Sequence, residues 1–241
     1  KKILARFWAV WGLISFVATF LIFVWPALLS YFKKDPQGQA FFIRISKLWM
    51  NIWLPLIGCP LRISGQAHFE PGKTYVVVFN HNALLDIPIS CPYVPGANKT
   101  IAKASFTKVP LFGLFYRKGS VIVDRSDPKS RSKSFEEMIQ VLQSGMHMCI
   151  YPEGTRNRTN QLLKPFYDGA FRLAARTQHA IIPCIIRGTR EAMPITETFY
   201  LWPHPLHMEF LPPVSTENKS VEELKNEVFA QMLDHLKDYS S

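Results

Sequence analysis

The chain has 241 residues, enough for one domain with a substantial hydrophobic core. Its formal net charge of +10 indicates an anionic partner, such as a nucleic acid, a membrane surface or an acidic substrate. The four cysteines are widely spaced, with no CxxC pair and no paired histidine spacing, which argues against a disulfide framework and against a zinc site. We therefore expect free thiols in or near the core of a domain that faces a reducing compartment, and no metal.

Residues 7–32 form a stretch without a charged side chain. As a helix it would be about 39 Å long, against about 30 Å for the hydrocarbon core of a bilayer. The stretch is too long for a cleaved signal peptide, and no small-residue cleavage site follows it. Pro26 leaves two kinds of anchor open: a single spanning helix, or two helices half-embedded in one leaflet, the second over residues 41–57. In either form, residues 1–60 are expected to hold the protein at a membrane.

Beyond about residue 61, short apolar runs alternate with amphipathic stretches. The runs predict strands at 75–79, 100–103, 120–123, 146–151, 181–186 and 206–211, and the amphipathic stretches predict helices from about 84 and at 132–143, 166–176 and 220–237. Such alternation predicts an α/β fold over residues 61–241, with a mostly parallel central sheet flanked by helices. In sheets of this kind, functional residues gather in the loops beyond the C-terminal ends of the strands.

A histidine and a carboxylate follow the first of these strands, in the segment NHNALLD (80–86). His81 comes directly after the strand, and Asp86 falls about one turn into the next helix. The carboxylate can fold back onto the imidazole, fix its tautomer and stabilise the imidazolium, which is the arrangement of a general base. Taken alone, such a spacing more often belongs to a helix-capping histidine with a surface aspartate. The interpretation of the pair as a general base therefore depends on the other motifs of the chain.

The strand at 146–151 is also followed by polar residues: Glu153, Gly154, Thr155 and Arg156. Glycine permits a tight turn, and the planar guanidinium of arginine binds phosphate with two parallel hydrogen bonds. Taken alone, this segment is typical of an ordinary turn with a solvated ion pair.

Two further cations stand beyond strand ends. Arg125 follows the strand at 120–123, where it is either a second phosphate ligand or a surface partner of Asp124. Lys103, at the end of the strand at 100–103, carries a weaker signal of the same kind. Because the C-terminal ends of parallel strands meet at one edge of a sheet, we expect these loops to bring a base and several cations together, as an anionic substrate requires.

Four motifs occur in order along the chain: NHNALLD (80–86), GSVIVDR (119–125), PEGTR (152–156) and IIP (181–183). Each is weak alone, but the ordered set is specific. Over residues 60–215 the chain resembles the 1-acylglycerol-3-phosphate acyltransferases, the bacterial type in particular. It departs from that family at Ser105, where an acidic residue is frequent, and at Asp168, where the segment FYDGA (166–170) replaces a basic one.

The resemblance implies a reaction. His81, oriented by Asp86, would remove the proton from the sn-2 hydroxyl of lysophosphatidic acid, and the alkoxide would attack the thioester of acyl-CoA or of an acyl carrier protein to give phosphatidic acid. The cations Lys103, Arg125 and Arg156 would hold the phosphate, whereas Glu153 and Gly154 would shape the glycerol site and Thr155 would offer a donor.

The resemblance also implies partners and a location. It requires neither a cofactor nor a metal, and it makes membrane lipids partners of the protein. The location that it implies is the inner (cytoplasmic) membrane, with the catalytic domain facing the cytoplasm. Sibling acyltransferases acting on glycerol 3-phosphate, another lysophospholipid or an aminolipid share the motifs and stay open. A serine hydrolase is disfavoured because the sequence has no G-x-S-x-G segment, and a nucleic-acid partner because the basic residues form no tract with interleaved aromatics.

Overall fold

The computed structural model describes residues 2–124 and 126–239. The helices are α1 (Lys2–Leu28), α2 (Gln37–Leu56), α3 (Asp86–Tyr93), α4 (Phe112–Lys118), α5 (Pro128–Gln143), α6 (Gly169–Thr177), α7 (Thr189–Ala192) and α8 (Val221–Asp238). The strands are β1 (Leu61–Ser64), β2 (Val76–Phe79), β3 (Asn98–Lys103), β4 (Ser120–Val123), β5 (His147–Ile150), β6 (Ile181–Arg187) and β7 (Leu206–Phe210). Short 3₁₀ helices cover Leu29–Phe32, Gln66–His68 and Ala104–Lys108.

The strands form one sheet in the order β1-β7-β6-β2-β5-β3-β4. Strand β2 lies at its centre and pairs in parallel with both β5 and β6. Strand β7 runs antiparallel to β6 and parallel to β1, so the edge pair β1–β7 is reversed relative to the rest. The prediction of a mostly parallel α/β fold is therefore confirmed.

Apolar side chains of β2 fill both faces of the sheet, as expected for a central parallel strand. Val76 and Val78 pack into a core with α5, α6 and α8, whereas Val77 and Phe79 pack into a second core that includes residues of α1, α2 and α3. The five strands β2 to β6 run parallel and deliver their C-terminal ends to the same edge of the sheet, where β2 and β5 lie side by side.

Some element limits differ from the sequence-based expectations. Helix α5 starts at Pro128, earlier than predicted, because the Asp127 carboxylate caps it by accepting from two backbone N–H groups, and proline suits the first helical position. Helix α8 begins as expected, with a capping box between Ser220 and Glu223. Strand β1 and helix α4 were not predicted, since both are short and the sequence LRIS carries only two apolar residues.

The N-terminal segment is a pair of antiparallel helices. Helix α1 continues through Pro26 to Leu28, and α2 returns along it. The Trp8 indole donates to the carbonyl of Ile57 (2.9 Å), and the Trp49 indole donates to the Thr19 hydroxyl (2.8 Å). Indole N–H groups that find such partners in a buried helix contact fix the register of the pair.

Both ends of α1 are bonded to the α/β part of the chain. Near its start the Ala5 carbonyl accepts from the Leu201 amide (3.3 Å), and just beyond its end the Tyr31 hydroxyl donates to the Leu114 carbonyl (2.8 Å). The helix thus lies along the molecule. Its outward face is apolar and exposed over Ile3, Leu4, Phe7, Val10, Ile14, Val17, Leu21, Ile22 and Trp25. In the described part of the chain, Lys2–Phe32 is the single helical stretch that is long and apolar enough to cross a membrane.

Candidate active site

His81 and Asp86 meet directly at the C-terminal end of β2. His81 lies in the loop after that strand and Asp86 is the first residue of α3, and 2.8 Å separates His81 Nδ1 from Asp86 Oδ2. The same carboxylate oxygen accepts from the backbone N–H groups of Asn82 (2.6 Å) and Ala83 (2.8 Å). Since Asp86 is fully buried, these bonds hold its carboxylate in one orientation against the imidazole.

The ring of Tyr151 packs against the His81 imidazole. Its ring lies 4.3 Å from the His81 ring, centroid to centroid, with the planes inclined by 33°. The Tyr151 hydroxyl donates to the Asp86 carbonyl (3.0 Å), and burial raises the pKa of this phenol well above its usual value, so it stays protonated. With Nδ1 bonded to Asp86, Nε2 is the nitrogen of His81 left to exchange a proton with a substrate.

Glu153 ties the loop after β5 to the loop after β2. One carboxylate oxygen accepts from the His81 backbone N–H (2.7 Å) and the other from the Lys164 backbone N–H (3.1 Å). Burial raises the pKa of this fully buried acid, although those two hydrogen bonds and the charges of His81 and Lys164 oppose the shift. Both oxygens are occupied by backbone amides, so the carboxylate sets the position of the neighbouring loops.

Thr155 and Arg156 face the same space as His81. They line a polar cavity of about 540 Å³, together with three residues that the sequence analysis missed: Arg158, Thr159 and Lys164. Gly154 allows the chain to turn into this cavity, with a backbone φ of 70° that favours glycine. The spacing of Arg156 and Arg158 was a signal available in the sequence, but nothing there showed that Lys164 returns to the same cavity.

Lys103 does not join this group. It is exposed at the end of β3, and its backbone N–H donates to the Tyr116 hydroxyl (3.1 Å). Its charge contributes, after the hydrogen bonds from Ser126, to lowering the pKa of Asp124. Lys103 is not among the residues that line the two cavities described in this section. Arg125, the other predicted cation beyond a strand end, lies outside the described residues.

A second cavity, of about 630 Å³, lies between the N-terminal helix pair and the α/β part of the chain. Its lining is mostly apolar and includes Ala9, Leu13, Phe16, Trp53, Leu85 and Phe112. Arg156, which is half-buried, lines both this cavity and the polar one. A space suited to a hydrocarbon chain therefore adjoins a space suited to an anionic group, with the His81–Asp86 pair beside them.

Comparisons with known proteins identify the family of the chain. Residues 60–187 match the family model described as Acyltransferase. The 1-acyl-sn-glycerol-3-phosphate acyltransferase of Limnanthes douglasii is 30% identical over 220 residues, which cover 90% of this chain and 72% of the relative. The corresponding protein of Cocos nucifera is 28% identical over 232 residues, which cover 94% of this chain and 70% of that relative. In fold, the chain is similar to the 1-acyl-sn-glycerophosphate (LPA) acyltransferase PlsC of Thermotoga maritima, with a TM-score of 0.83 and 20% sequence identity. The superposition covers 99% of this chain and 97% of that one.

Proposed function

The chain belongs to the 1-acyl-sn-glycerol-3-phosphate acyltransferase family, and from this premise we propose that it transfers a fatty acyl group from a thioester to the sn-2 hydroxyl of lysophosphatidic acid, giving phosphatidic acid. The observation that carries the proposal is the buried His81–Asp86 pair, 2.8 Å apart, beside a cavity lined by cations. A phosphate-bearing acceptor needs such a cavity, and its hydroxyl needs a base.

His81 acts as the general base. Its Nε2 takes the proton of the acceptor hydroxyl, and Asp86 stabilises the imidazolium that forms. The alkoxide oxygen attacks the thioester carbonyl carbon, and the tetrahedral intermediate collapses by breaking the carbon–sulfur bond. The imidazolium returns its proton to the departing thiolate, so His81 ends the cycle neutral. Base catalysis of this kind contributes about 10²–10⁴-fold to the rate.

The remaining site residues have binding and positioning roles. Arg156 and Thr155 bind the phosphate, Gly154 provides the turn that aims them, and Glu153 positions His81 through its backbone amide. Lys103, which is exposed and outside both cavities, acts at longer range by attracting anionic headgroups to this edge of the sheet. The phosphate-binding role predicted for Arg125 stays a prediction.

The acyl chain of the donor occupies the apolar cavity. A water-soluble thioester, whether acyl-CoA or acyl carrier protein, must keep its hydrocarbon chain out of water during transfer, whereas the chain of lysophosphatidic acid can remain in the bilayer. Arg156 lines both cavities, which fits a reaction in which the thioester carbonyl and the acceptor headgroup come together near that residue.

Residues 1–60 serve as the membrane anchor of a catalytic unit formed by residues 61–241. Since Ala5 and Tyr31 both bond to the α/β part, α1 lies against it with an exposed apolar face, which favours burial in one leaflet over spanning. We place the protein at the inner membrane with the catalytic unit towards the cytoplasm, where acyl thioesters are made. Its assignment to the bacterial type of the family is part of the same proposal.

An acyl-transfer assay with purified protein in detergent tests the proposal. Acyl-CoA and acyl carrier protein would each supply a labelled chain, and the acceptors would be lysophosphatidic acid, glycerol 3-phosphate and lysophosphatidylcholine. We expect labelled phosphatidic acid from lysophosphatidic acid. Transfer to one of the other acceptors alone would assign the enzyme to a sibling activity, and no transfer from either donor would refute the proposal.

A further inference from the structure

Lys164 lies in the polar cavity, although no motif of the sequence points to it. Its Nζ donates to the Thr155 hydroxyl (2.7 Å) and, at the longer distance of 3.4 Å, to the carbonyl oxygens of both Glu153 and Thr155. All three acceptors are uncharged, and only the first lies at a short distance. The ammonium charge therefore has no anionic partner in these bonds, and the two long hydrogen bonds can be exchanged for shorter, charge-assisted ones to an anionic ligand.

Positive charge dominates the lining of this cavity. Arg156, Arg158 and Lys164 contribute three cations, and no carboxylate is among the lining residues that the structure describes. Within residues 2–124 and 126–239, none of these three side chains forms an ion pair. Glu153 lies close enough to Lys164 for their charges to interact, but its two oxygens accept from the backbone N–H groups of His81 and Lys164, and it does not line the cavity.

Lys225 offers a contrast within the same part of the molecule. Its Nζ lies 2.8 Å from Asp168 Oδ1, so its charge has a carboxylate partner, and it lines neither of the two cavities. Asp168 also lies 3.6 Å from Arg172. The acidic residue at position 168 is thus directed to cations of α6 and α8, and it does not reduce the positive charge that faces His81.

We propose that Lys164 is a specificity-determining residue, which binds the phosphate monoester of the acceptor and makes the site prefer a monoester to a phosphodiester headgroup. This rests on the proposed acyl transfer to lysophosphatidic acid. A monoester carries about −1.5 to −2 charges near pH 7, and three acceptor oxygens, whereas a diester carries a single charge and has an esterified oxygen. A third cation adds most to the ligand with the greater charge, because the Coulomb energy scales with the product of the charges.

Equilibrium binding tests this role without depending on turnover. The probes are an analogue of lysophosphatidic acid that lacks the acceptor hydroxyl, and the methyl ester of its phosphate, which is a diester. We expect the wild-type protein to bind the monoester more tightly. In Lys164→Gln the preference for the monoester, expressed as the ratio of the two Kd values, should fall about tenfold, the size expected for loss of one charge-assisted hydrogen bond.

Two variants serve as controls. Lys164→Arg keeps the charge and should keep most of the preference, and Lys225→Gln should leave it unchanged because that residue lies outside the cavity. If Lys164→Gln lost affinity equally for both probes, the residue would only position Thr155. That result would overturn the proposal. An unchanged ratio overturns it too.

The 3′-phosphate of coenzyme A is the other source of a monoester. If Lys164→Gln raised the KM for acyl-CoA while binding of both acceptor analogues stayed as in the wild type, Lys164 would belong to the donor site and the proposal would fail. A wild-type enzyme that acylates lysophosphatidic acid but binds both probes equally refutes only the role of Lys164. Absence of that acyl transfer refutes the proposed function itself.

Discussion

Replacing Glu153 by glutamine removes one of the two acceptors that join the loops after β2 and β5. The carboxylate accepts from the backbone N–H groups of His81 and Lys164, and an amide has a single acceptor oxygen. One buried N–H group would then face an NH₂ group and lose its partner. An unsatisfied buried donor costs about 1–3 kcal/mol, so we expect Glu153→Gln to lower the free energy of unfolding by about 2 kcal/mol.

For a chain of this size, about 2 kcal/mol corresponds to a fall in Tm of roughly 4–8 °C. Displacement of His81 should also lower kcat, by up to about 10²-fold, because base catalysis depends on position. Thermal unfolding in detergent and the acyl-transfer assay would be run beside Glu70→Gln. Glu70 forms an exposed ion pair with Lys73, and loss of that pair should change the Tm little. If Glu153→Gln matched Glu70→Gln in both Tm and kcat, Glu153 would not hold His81 as described.

Three further outcomes are expected. Ala9→Leu, which fills part of the apolar cavity, should shift the preference of kcat/KM towards shorter acyl-CoA chains, whereas Ala230→Leu on the exposed face of α8 should not. Burial lowers the pKa of His147 to about 4, below its unfolded value of about 6.5, so the unfolded state binds the extra proton between these pH values. The free energy of unfolding should therefore fall by about 3 kcal/mol as the pH drops from 6.5 to 4, and acid denaturation of His147→Asn should show a shallower dependence in that window. Finally, Ile14→Asp with Leu21→Asp on the exposed face of α1 should weaken sedimentation with lipid vesicles, and unchanged binding would contradict a membrane role for that face.

The sequence predicted the parts of the fold that repeat a simple pattern. Apolar runs located β2 and β6 within one residue of their limits, and the distance of five residues between His81 and Asp86 predicted a contact that the structure contains. The short edge strand β1 has too few apolar residues to be recognised, and its pairing with β7 depends on contacts distant in sequence.

The features missing from the sequence-based description arise from tertiary packing. The apolar cavity exists because the helix pair packs against α3 and α4, and no local pattern encodes a space between elements. That Glu153 shapes the glycerol site stays a prediction, and its full burial depends on how the segment around Lys164 folds back over it. For the same reason Lys164 could not be assigned to the polar cavity in advance.

The central claim is that His81 is the base for acyl transfer, and His81→Ala tests it most directly. Initial rates of labelled phosphatidic acid formation from acyl-CoA and lysophosphatidic acid would be compared for the wild type, His81→Ala and His68→Ala, the last being a histidine of the Gln66–His68 turn outside both cavities. We predict that His81→Ala lowers kcat by about 10²–10⁴-fold while KM changes little, and that His68→Ala behaves as the wild type. A His81→Ala protein that is folded and retains wild-type kcat would contradict the account.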